Sequence, residues 1–169
     1  RIDYDPGPEQ SFGGPEMDKW DGYAAERDII ADEMRAAAAE RNFNPVVITG
    51  DVHANYVWDL KQDWDDAEAA PYGTEFVGTS ISSNGDDPLK DDGGFTTAFG
   101  NLRGNAHNHF FDNHRGYVLC DLTPEQWQAT YRGMSTVEDP EATASTLASF
   151  VVEHGRPGAQ ANDSGESVG

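Results

Sequence analysis

The sequence predicts an α/β (α+β) fold in which one long helix precedes several strands. Between residues 21 and 42, apolar side chains recur at the spacing of one helix face: Ile29, Ile30, Met34 and Ala37. The run PVVIT follows almost directly, and four later segments are rich in the β-branched and aromatic residues of strands. The 169 residues match the usual length of one domain, roughly 100–200 residues.

The helix is expected to span residues 21–42. Asp21 is a residue type that caps helix N-termini, and acidic residues follow it in the early turns. Asn42 tolerates the left-handed conformation that ends many helices, and Pro45 disfavours helical conformation in the residue before it. The sequence thus predicts both ends of this helix.

Strands account for most of the remaining regular structure. PVVIT, at residues 45–49, is typical of a buried strand in a sheet that helices cover. Further strands are predicted at residues 75–79, 116–122, 126–134 and 146–153, with a hairpin turn at residues 123–125. Residues 80–113, rich in Gly, Asp and Asn, are predicted to form a long loop, which in a compact domain is usually functional or mobile.

Both ends of the chain are expected to be irregular. Residues 1–17 are rich in Pro and Gly and are predicted to form an irregular leading segment. From Gly155 the chain is polar and rich in Gly and Ser, and residues 159–169 are predicted to be a disordered tail. The folded domain is therefore expected to occupy residues 18–158.

The charge of the chain excludes several classes of function. Thirty-one acidic residues against 11 basic residues give a formal net charge of -20, which leaves no basic face for nucleic acid. No stretch approaches the ~20 consecutive apolar residues of a membrane span, and no N-terminal segment has the pattern of a signal peptide. The acidity suits a salt-rich or extracellular setting and the binding of hard cations such as Ca²⁺.

The strongest candidate for chemistry is GDVHAN, at residues 50–55. Asp51 and His53 lie two residues apart after the predicted strand, so alternation would turn both side chains toward one metal ion. A carboxylate and an imidazole suit iron, zinc or manganese, and the carboxylate can bridge to a second, harder cation. The alternative is that Asp51 caps a following helix while His53 bonds to the backbone, and the pattern alone leaves both open.

A second segment, DKWDGY at residues 18–23, also has two interpretations. In the structural interpretation it caps the helix, and its two aromatic residues pack against the helix start. In the functional interpretation Asp18 lies near the end of the strand and faces the substrate or supports a metal ligand.

Three histidines, one cysteine and an acidic loop are further candidates. The histidines are His107, His109 and His114, of which the first two form a His-x-His pair that could bind metal. Histidines in such a loop more often make surface or hydrogen-bonding contacts. The acidic loop NGDDPLKDDGG lacks the spacing of an EF-hand and is predicted to be solvated. Cys120 lies in an apolar strand without an adjacent base and is predicted to be a buried, unreactive thiol.

Four motifs in this order resemble the C-terminal part of PhoD-type alkaline phosphatases: MDKWDGYAAERDII, PVVITGDVHANYVWDLK, TEFVGTSISSNG and HRGYVLCDLTPEQWQATYR. The resemblance covers about residues 18–158. It implies a metallophosphoesterase fold, part of a two-sheet sandwich flanked by helices, similar to purple acid phosphatases. It also implies a secreted or periplasmic enzyme that uses calcium and iron to hydrolyse phosphate monoesters and diesters.

The resemblance also implies roles for individual residues. GDVH matches the late metal motif of the family, so Asp51 and His53 are expected to be metal ligands, and Asn55 is expected to support them or to bind substrate. DKWDGY matches the segment that runs near the phosphate site. Asp18 is therefore expected to be a catalytic residue, and Trp20 and Tyr23 are expected in supporting positions.

The earlier metal motifs of the family do not occur in these 169 residues. The chain is therefore expected to be the C-terminal part of an enzyme that needs its N-terminal part as a partner, and to be inactive alone. The alternative is a non-catalytic acidic module that derives from such an enzyme and binds calcium or a partner surface. The intact GDVH motif favours the enzyme.

Overall fold

The computed structural model describes residue 20 and residues 22–63, 66, 68–83 and 107–162. Its elements are α1 (Ala24–Arg41), β1 (Val46–Thr49), β2 (Asn55–Lys61), β3 (Pro71–Val77), β4 (Asn108–Asp112), β5 (Gly116–Leu122), β6 (Gln126–Met134), β7 (Ala144–Glu153) and β8 (Gln160–Ala161). The strands form two four-stranded sheets, which we call the first sheet (β1–β4) and the second sheet (β5–β8). The predicted α/β class with two sheets is confirmed.

Helix α1 begins slightly later than the sequence predicts. Tyr23 occupies the N-cap position, and its carbonyl accepts the first helical hydrogen bond, at 2.9 Å from the amide of Arg27. Asp21, the predicted N-cap residue, lies outside the described residues. The predicted end is confirmed, because Asn42 adopts a left-handed conformation (φ 53, ψ 59) and its N–H bonds to the carbonyl of Ala38.

No residue of α1 is buried by the described part of the chain. Ile29 and Ile30 on its predicted apolar face are 62% and 44% exposed. One of its contacts is with the first sheet, where the Arg35 guanidinium stands 5.7 Å from the centre of the Tyr72 ring. No helix within the described ranges is long and apolar enough to cross a membrane.

The first sheet has the strand order β1-β3-β2-β4, with β1 parallel to β3 and the other pairs antiparallel. Val77 pairs with both Thr49 and Tyr56. Asn55, at the start of β2, pairs with Asp112 at the end of β4. The carboxyl ends of β1, β3 and β4 therefore meet the beginning of β2 at one end of the sheet.

The prediction that residues 45–49 form a buried strand is only partly right. The strand exists, but it lies at the edge of the first sheet as described here, and the side chain of Ile48 is 63% exposed. A short β-branched run indicates an extended segment, whereas the elements around it decide whether both faces are covered.

Strands β2 and β4 were not predicted, because polar residues interrupt the run of apolar residues that indicates a buried strand. Asp59 is buried in β2, and two contacts offset the cost of burying its carboxylate. Its Oδ2 lies 2.7 Å from Nε2 of His109, and its Oδ1 accepts the Ala159 N–H at 3.0 Å. Strand β4 falls within residues 80–113, so the long-loop prediction is wrong there. Residues 84–106 lie outside the described part of the chain.

The second sheet follows the sequence prediction closely. It is antiparallel in the order β5-β6-β7-β8, and the predicted hairpin turn joins β5 to β6 through a 2.9 Å bond from the Thr123 amide to the Gln126 carbonyl. The predicted disordered tail is wrong for residues 159–162. Ala159 is buried, and Gln160–Ala161 pair with β7, so sheet pairing orders a segment whose composition suggests disorder.

The main core lies between the two sheets. Val57 and Phe76 of the first sheet pack with four residues of the second: Ala129, Tyr131, Phe150 and Val152. The hydroxyl of Tyr131, fully buried, donates a 2.7 Å hydrogen bond to the carbonyl of Tyr56 in β2. Burial raises the pKa of Tyr131, so the phenol remains protonated and this bond persists.

We expect Tyr131→Phe to lower the free energy of unfolding by about 1 kcal/mol, because it removes one buried hydrogen bond between the sheets and little volume. Urea denaturation of the purified protein measures this change. Tyr117→Phe is the matched control, since Tyr117 lies in β5 with 46% of its surface exposed. Equal denaturation midpoints for the two variants would show that the buried hydroxyl does not stabilise the fold.

Candidate active site

The end of the first sheet where β2 begins brings together the most promising polar residues. We call it the site corner. It consists of the turn at residues 50–54, Asn55, residues 78–80 after β3, and residues 112–116 between β4 and β5. Segments at the carboxyl ends of strands are common places for ligands, because rigid strands hold their side chains in fixed positions.

Asp51 and His53 lie on the turn that links β1 to β2. Both have positive φ angles, 73° for Asp51 and 56° for His53. Asp and His tolerate this left-handed region better than most residues, yet it costs about 1–3 kcal/mol per residue, and such strained residues cluster at functional sites. Because β2 follows, the alternative in which Asp51 caps a helix is wrong.

The turn also changes the basis of the metal prediction. Alternation along an extended strand was expected to aim Asp51 and His53 at one point, but residues 50–54 do not form a strand. Asp51 is exposed, and His53 is partly buried. That both side chains hold one metal therefore stays a prediction, now resting on the shape of the turn.

The described residues alone do not complete a metal site. Within them, no group of three or more His, Cys, Asp or Glu side chains is arranged to hold a metal ion. Asp51 and His53 offer one carboxylate and one imidazole, a donor pair that fits iron, whereas Ca²⁺ would use only the carboxylate. The pair is therefore suitable as part of a ligand set that needs further donors.

Asn55 joins two sides of the site corner. It is 1% exposed, its Oδ1 accepts the Thr79 N–H at 3.1 Å, and its Nδ2 donates to the His114 carbonyl at 3.3 Å. These bonds connect β2 to the ends of β3 and β4. They suit a supporting role, one of the two roles predicted for Asn55.

The residues predicted from DKWDGY are not brought to the site corner by the described contacts. Asp18 lies outside the described residues, and Trp20 and Tyr23 are 50% and 52% exposed. The first half of α1, which follows them, lines a cavity with Lys61 and Tyr72, at the opposite end of the first sheet. Roles for Asp18, Trp20 and Tyr23 stay predictions.

One partly buried carboxyl group near the corner, that of Glu75, was not recognised in the sequence. The Thr49 hydroxyl, two residues before Asp51, donates a 2.9 Å hydrogen bond to Oε1 of Glu75. Burial raises the pKa of Glu75, and this hydrogen bond opposes the rise only partly. Glu75 begins a segment that looks like an ordinary strand, so only its tertiary surroundings mark it.

The three histidines make separate contacts, as the structural interpretation expects. His107 is buried, with its ring centre 5.2 Å from that of Trp58. His109 pairs with the buried Asp59, whereas Nδ1 of His114 lies 2.9 and 3.0 Å from the two carboxylate oxygens of Asp112. The Asp112–His114 pair lies in the site corner and was not predicted from the sequence.

The Asp112–His114 pair sits on a rigid turn. Arg115 donates to the Ser80 hydroxyl at 3.2 Å, and the Gly116 N–H donates to the Ser80 carbonyl at 3.1 Å. A Cβ atom at Gly116 would lie 1.9 Å from the Arg132 carbonyl oxygen, so only glycine permits this approach of β5 to β6. Residues 112–116 are thereby fixed to both sheets.

Cys120 is partly exposed in the structure, whereas the sequence predicts a buried thiol. Burial nonetheless raises the pKa of the thiol, and the neighbouring Asp121 carboxylate acts in the same direction. The thiolate is the nucleophilic form, so these effects agree with the predicted lack of reactivity.

Comparison with known proteins gives consistent matches. A model of the family described as PhoD-like phosphatase matches residues 3–131. Alkaline phosphatase D of Bacillus subtilis (strain 168) is 42% identical over 145 residues, which cover 84% of this chain and 23% of that protein. A solved structure titled "Structure of PhoD" matches with a TM-score of 0.72 and 40% identity, covering 90% of this chain and 28% of that chain. The chain thus spans less than a third of the length of these relatives.

We expect Asn55→Ala to lower the free energy of unfolding by about 1–3 kcal/mol, because it removes the partner of a partly buried N–H and of a partly buried carbonyl. Hydrogen exchange of the Thr79 amide, which bonds to Asn55 in the structure, should become faster in this variant. Asn55→Asp retains an acceptor for that amide and should protect it. Gln62→Ala, at an exposed position beyond the other end of β2, is the control. Unchanged exchange at Thr79 in Asn55→Ala would contradict the supporting role.

Proposed function

Because this chain belongs to the PhoD-like phosphatase family, we propose that it forms the C-terminal part of a metal-dependent enzyme that hydrolyses phosphate esters. The observation that carries the proposal is the GDVH turn, in which Asp51 and His53 both adopt left-handed backbone conformations at the end of the first sheet. Backbone conformations of this kind cluster at active sites, so the turn supports a functional role for its two side chains.

Asp51 and His53 are the residues of this chain that would hold metal. The imidazole of His53 suits the iron that the family resemblance implies, and the carboxylate of Asp51 suits either iron or calcium. Bound metal ions would lower the pKa of a water molecule and offset the charge of the phosphate. Asn55 then keeps the GDVH turn in place through its bonds to Thr79 and His114.

The acidity of the chain supports a role for cations. With a net charge of -20, the chain repels an anionic phosphate ester unless positive charge is concentrated locally. Metal ions supply such charge in a small volume. The same acidity suits the secreted or periplasmic location that the resemblance implies.

The surfaces left uncovered support the proposal that an N-terminal part completes the enzyme. The chain spans 23% of the length of its Bacillus subtilis relative. Strand β1 runs parallel to β3, and parallel strands are usually covered on both faces, yet Ile48 of β1 is 63% exposed. Ile29 of α1 is 62% exposed. The N-terminal part would cover these residues and supply the remaining metal ligands. We expect the domain proposed for residues 18–158 to include β8 as well, because β8 pairs with β7 in the second sheet.

The second candidate, a non-catalytic acidic module that binds calcium or a partner surface, has one supporting observation. Within the described residues the ligand set is incomplete. Such a module would have no need of the backbone strain at His53, because calcium prefers oxygen ligands. The GDVH turn therefore favours the enzyme.

In the full-length enzyme, we expect His53→Ala to reduce phosphatase turnover by orders of magnitude and to deplete bound iron while the fold is retained. Loss of a direct ligand should exceed the ~10–100-fold effect of changing a residue that only supports a ligand. Turnover of p-nitrophenyl phosphate and elemental analysis of the purified variant measure both effects.

His154→Gln is the matched control, because His154 is exposed beyond the end of β7, in the second sheet. It should retain normal turnover and iron content. Normal turnover and iron in His53→Ala would refute the ligand assignment.

The 169-residue chain expressed alone should show neither phosphatase activity nor tight metal binding, and it should be poorly stable. Two side-chain ligands cannot provide the six to eight oxygens that Ca²⁺ prefers, and no strand of the described residues pairs with the outer edge of β1. Added salt or Ca²⁺ should raise the melting temperature, since screening reduces the self-repulsion of the acidic chain.

The measurements are hydrolysis of p-nitrophenyl phosphate at alkaline pH with Ca²⁺ and iron, and a thermal melt. A cooperative melt together with metal-dependent turnover by the 169-residue chain would contradict this expectation.

A further inference from the structure

The Asp112–His114 pair has the geometry of a histidine whose ring is held by a carboxylate. Nδ1 of His114 lies 2.9 Å from Oδ2 and 3.0 Å from Oδ1 of Asp112, and the His114 backbone N–H bonds to Oδ1 at 2.7 Å. An ionised carboxylate only accepts hydrogen bonds, so Nδ1 carries its proton toward Asp112. The ring must therefore use Nε2 for any proton that it gives or takes.

His114 differs from His109 in that its Nε2 is available. Within the described residues no hydrogen bond involves Nε2 of His114, and the side chain is 35% exposed. By contrast, Nε2 of His109 pairs with Asp59, and His107 is buried beside Trp58. His114 is thus both oriented on one side and accessible on the other, which is the arrangement that proton transfer requires.

The position of the pair links it to the candidate metal ligands. Asp112 lies directly across from Asn55 in the first sheet, and the His114 carbonyl accepts a hydrogen bond from Asn55 at 3.3 Å. The GDVH turn leads into β2, and Asn55 at the start of β2 follows His53 by two residues. The buried side-chain amide of Asn55 therefore joins the backbone of His114 to β2. The bonds from Arg115 and Gly116 to Ser80 prevent the turn from moving independently.

We propose that His114 is a further catalytic residue of the site corner, where its Nε2 gives a proton to the oxygen that leaves phosphorus, and that Asp112 is its positioning residue. This inference rests on the proposed phosphoester hydrolysis. In the step, the oxygen of water forms a new bond to phosphorus while the bond to the leaving oxygen breaks with its electron pair on that oxygen. The leaving oxygen takes the proton from Nε2 of the imidazolium and departs as an alcohol, which leaves a neutral ring with its remaining proton on Nδ1. The attacking water loses its proton to solvent, and the imidazole regains one from solvent.

A ligand role for His114 beside Asp51 and His53 fits the structure less well. The described part of the chain contains no group of three or more His, Cys, Asp or Glu side chains arranged around one metal ion. Within those residues, His114 and Asp112 are therefore not grouped with Asp51 and His53 around one ion.

The test compares two aryl phosphates in the full-length, metal-loaded enzyme. p-Nitrophenolate leaves readily without a proton, whereas phenolate is a poor leaving group and depends on one. Loss of a proton donor typically costs ~10²–10⁴-fold, so His114→Gln should lower kcat/KM by about 100-fold or more for phenyl phosphate. For p-nitrophenyl phosphate the loss should stay below about 10-fold, with iron and calcium content unchanged. A purely structural role would reduce both activities equally.

Two further variants make the result decisive. Asp112→Asn should show the same selective loss at a smaller size, because it removes the carboxylate charge that orients the His114 ring. This variant also provides the test if His114→Gln does not fold. His154→Gln should leave both activities unchanged. An equal loss on both substrates, no loss, or loss of bound metal would overturn the role of His114. If the unsubstituted enzyme hydrolyses neither phosphate, the proposed function itself fails; if it hydrolyses both but the loss is equal, only the inference about His114 fails.

Discussion

Burial of β2 on both faces is the constraint on which the rest of the structure depends. Val57 faces the core between the sheets, while Tyr56 and Trp58 pack in a second apolar cluster on the other face. The Tyr131 hydroxyl bonds to the Tyr56 carbonyl from the second sheet. A slip by one residue would exchange the two faces and break this bond, so the register of β2 is strongly specified.

The fixed register of β2 determines what its two ends can do. At its beginning, Asn55 holds the ends of β3 and β4 while the strained GDVH turn enters the strand. Near its end, the carboxylate of Asp59 binds His109 and the Ala159 amide, which anchors the C-terminal segment to the first sheet. A rigid strand of this kind can retain the strain of Asp51 and His53, since the surrounding contacts outweigh the cost.

Charge gives the site corner its chemical character. The chain carries a net charge of -20, and the corner contains the carboxylates of Asp51 and Asp112, so a phosphate ester would be repelled without cations. Metal ions held by this chain together with an N-terminal part resolve that repulsion in the proposed enzyme. The uncovered faces of β1 and α1 agree with such a division, in which this chain provides the sandwich and part of the ligand set.

The sequence by itself determined the elements whose signals are local. Helix α1 ends where Asn42 adopts a left-handed conformation, which this residue type tolerates. The strands of the second sheet follow from β-branched and aromatic residues on either side of a hairpin turn. The GDVH motif was also visible locally, although its turn geometry was not. Strands β2 and β4 were not predicted, because Asp59 and His109 are polar residues typical of loops. Only the folded structure shows that they pair with each other inside the sheet.

Only the tertiary structure decided the order of residues 159–162, which depends on pairing with β7, and the exposure of β1, which depends on its edge position. It also decided the roles of Asn55 and the Asp112–His114 pair. Their contacts join segments far apart in the chain, and no local pattern records the distance between two such segments after folding.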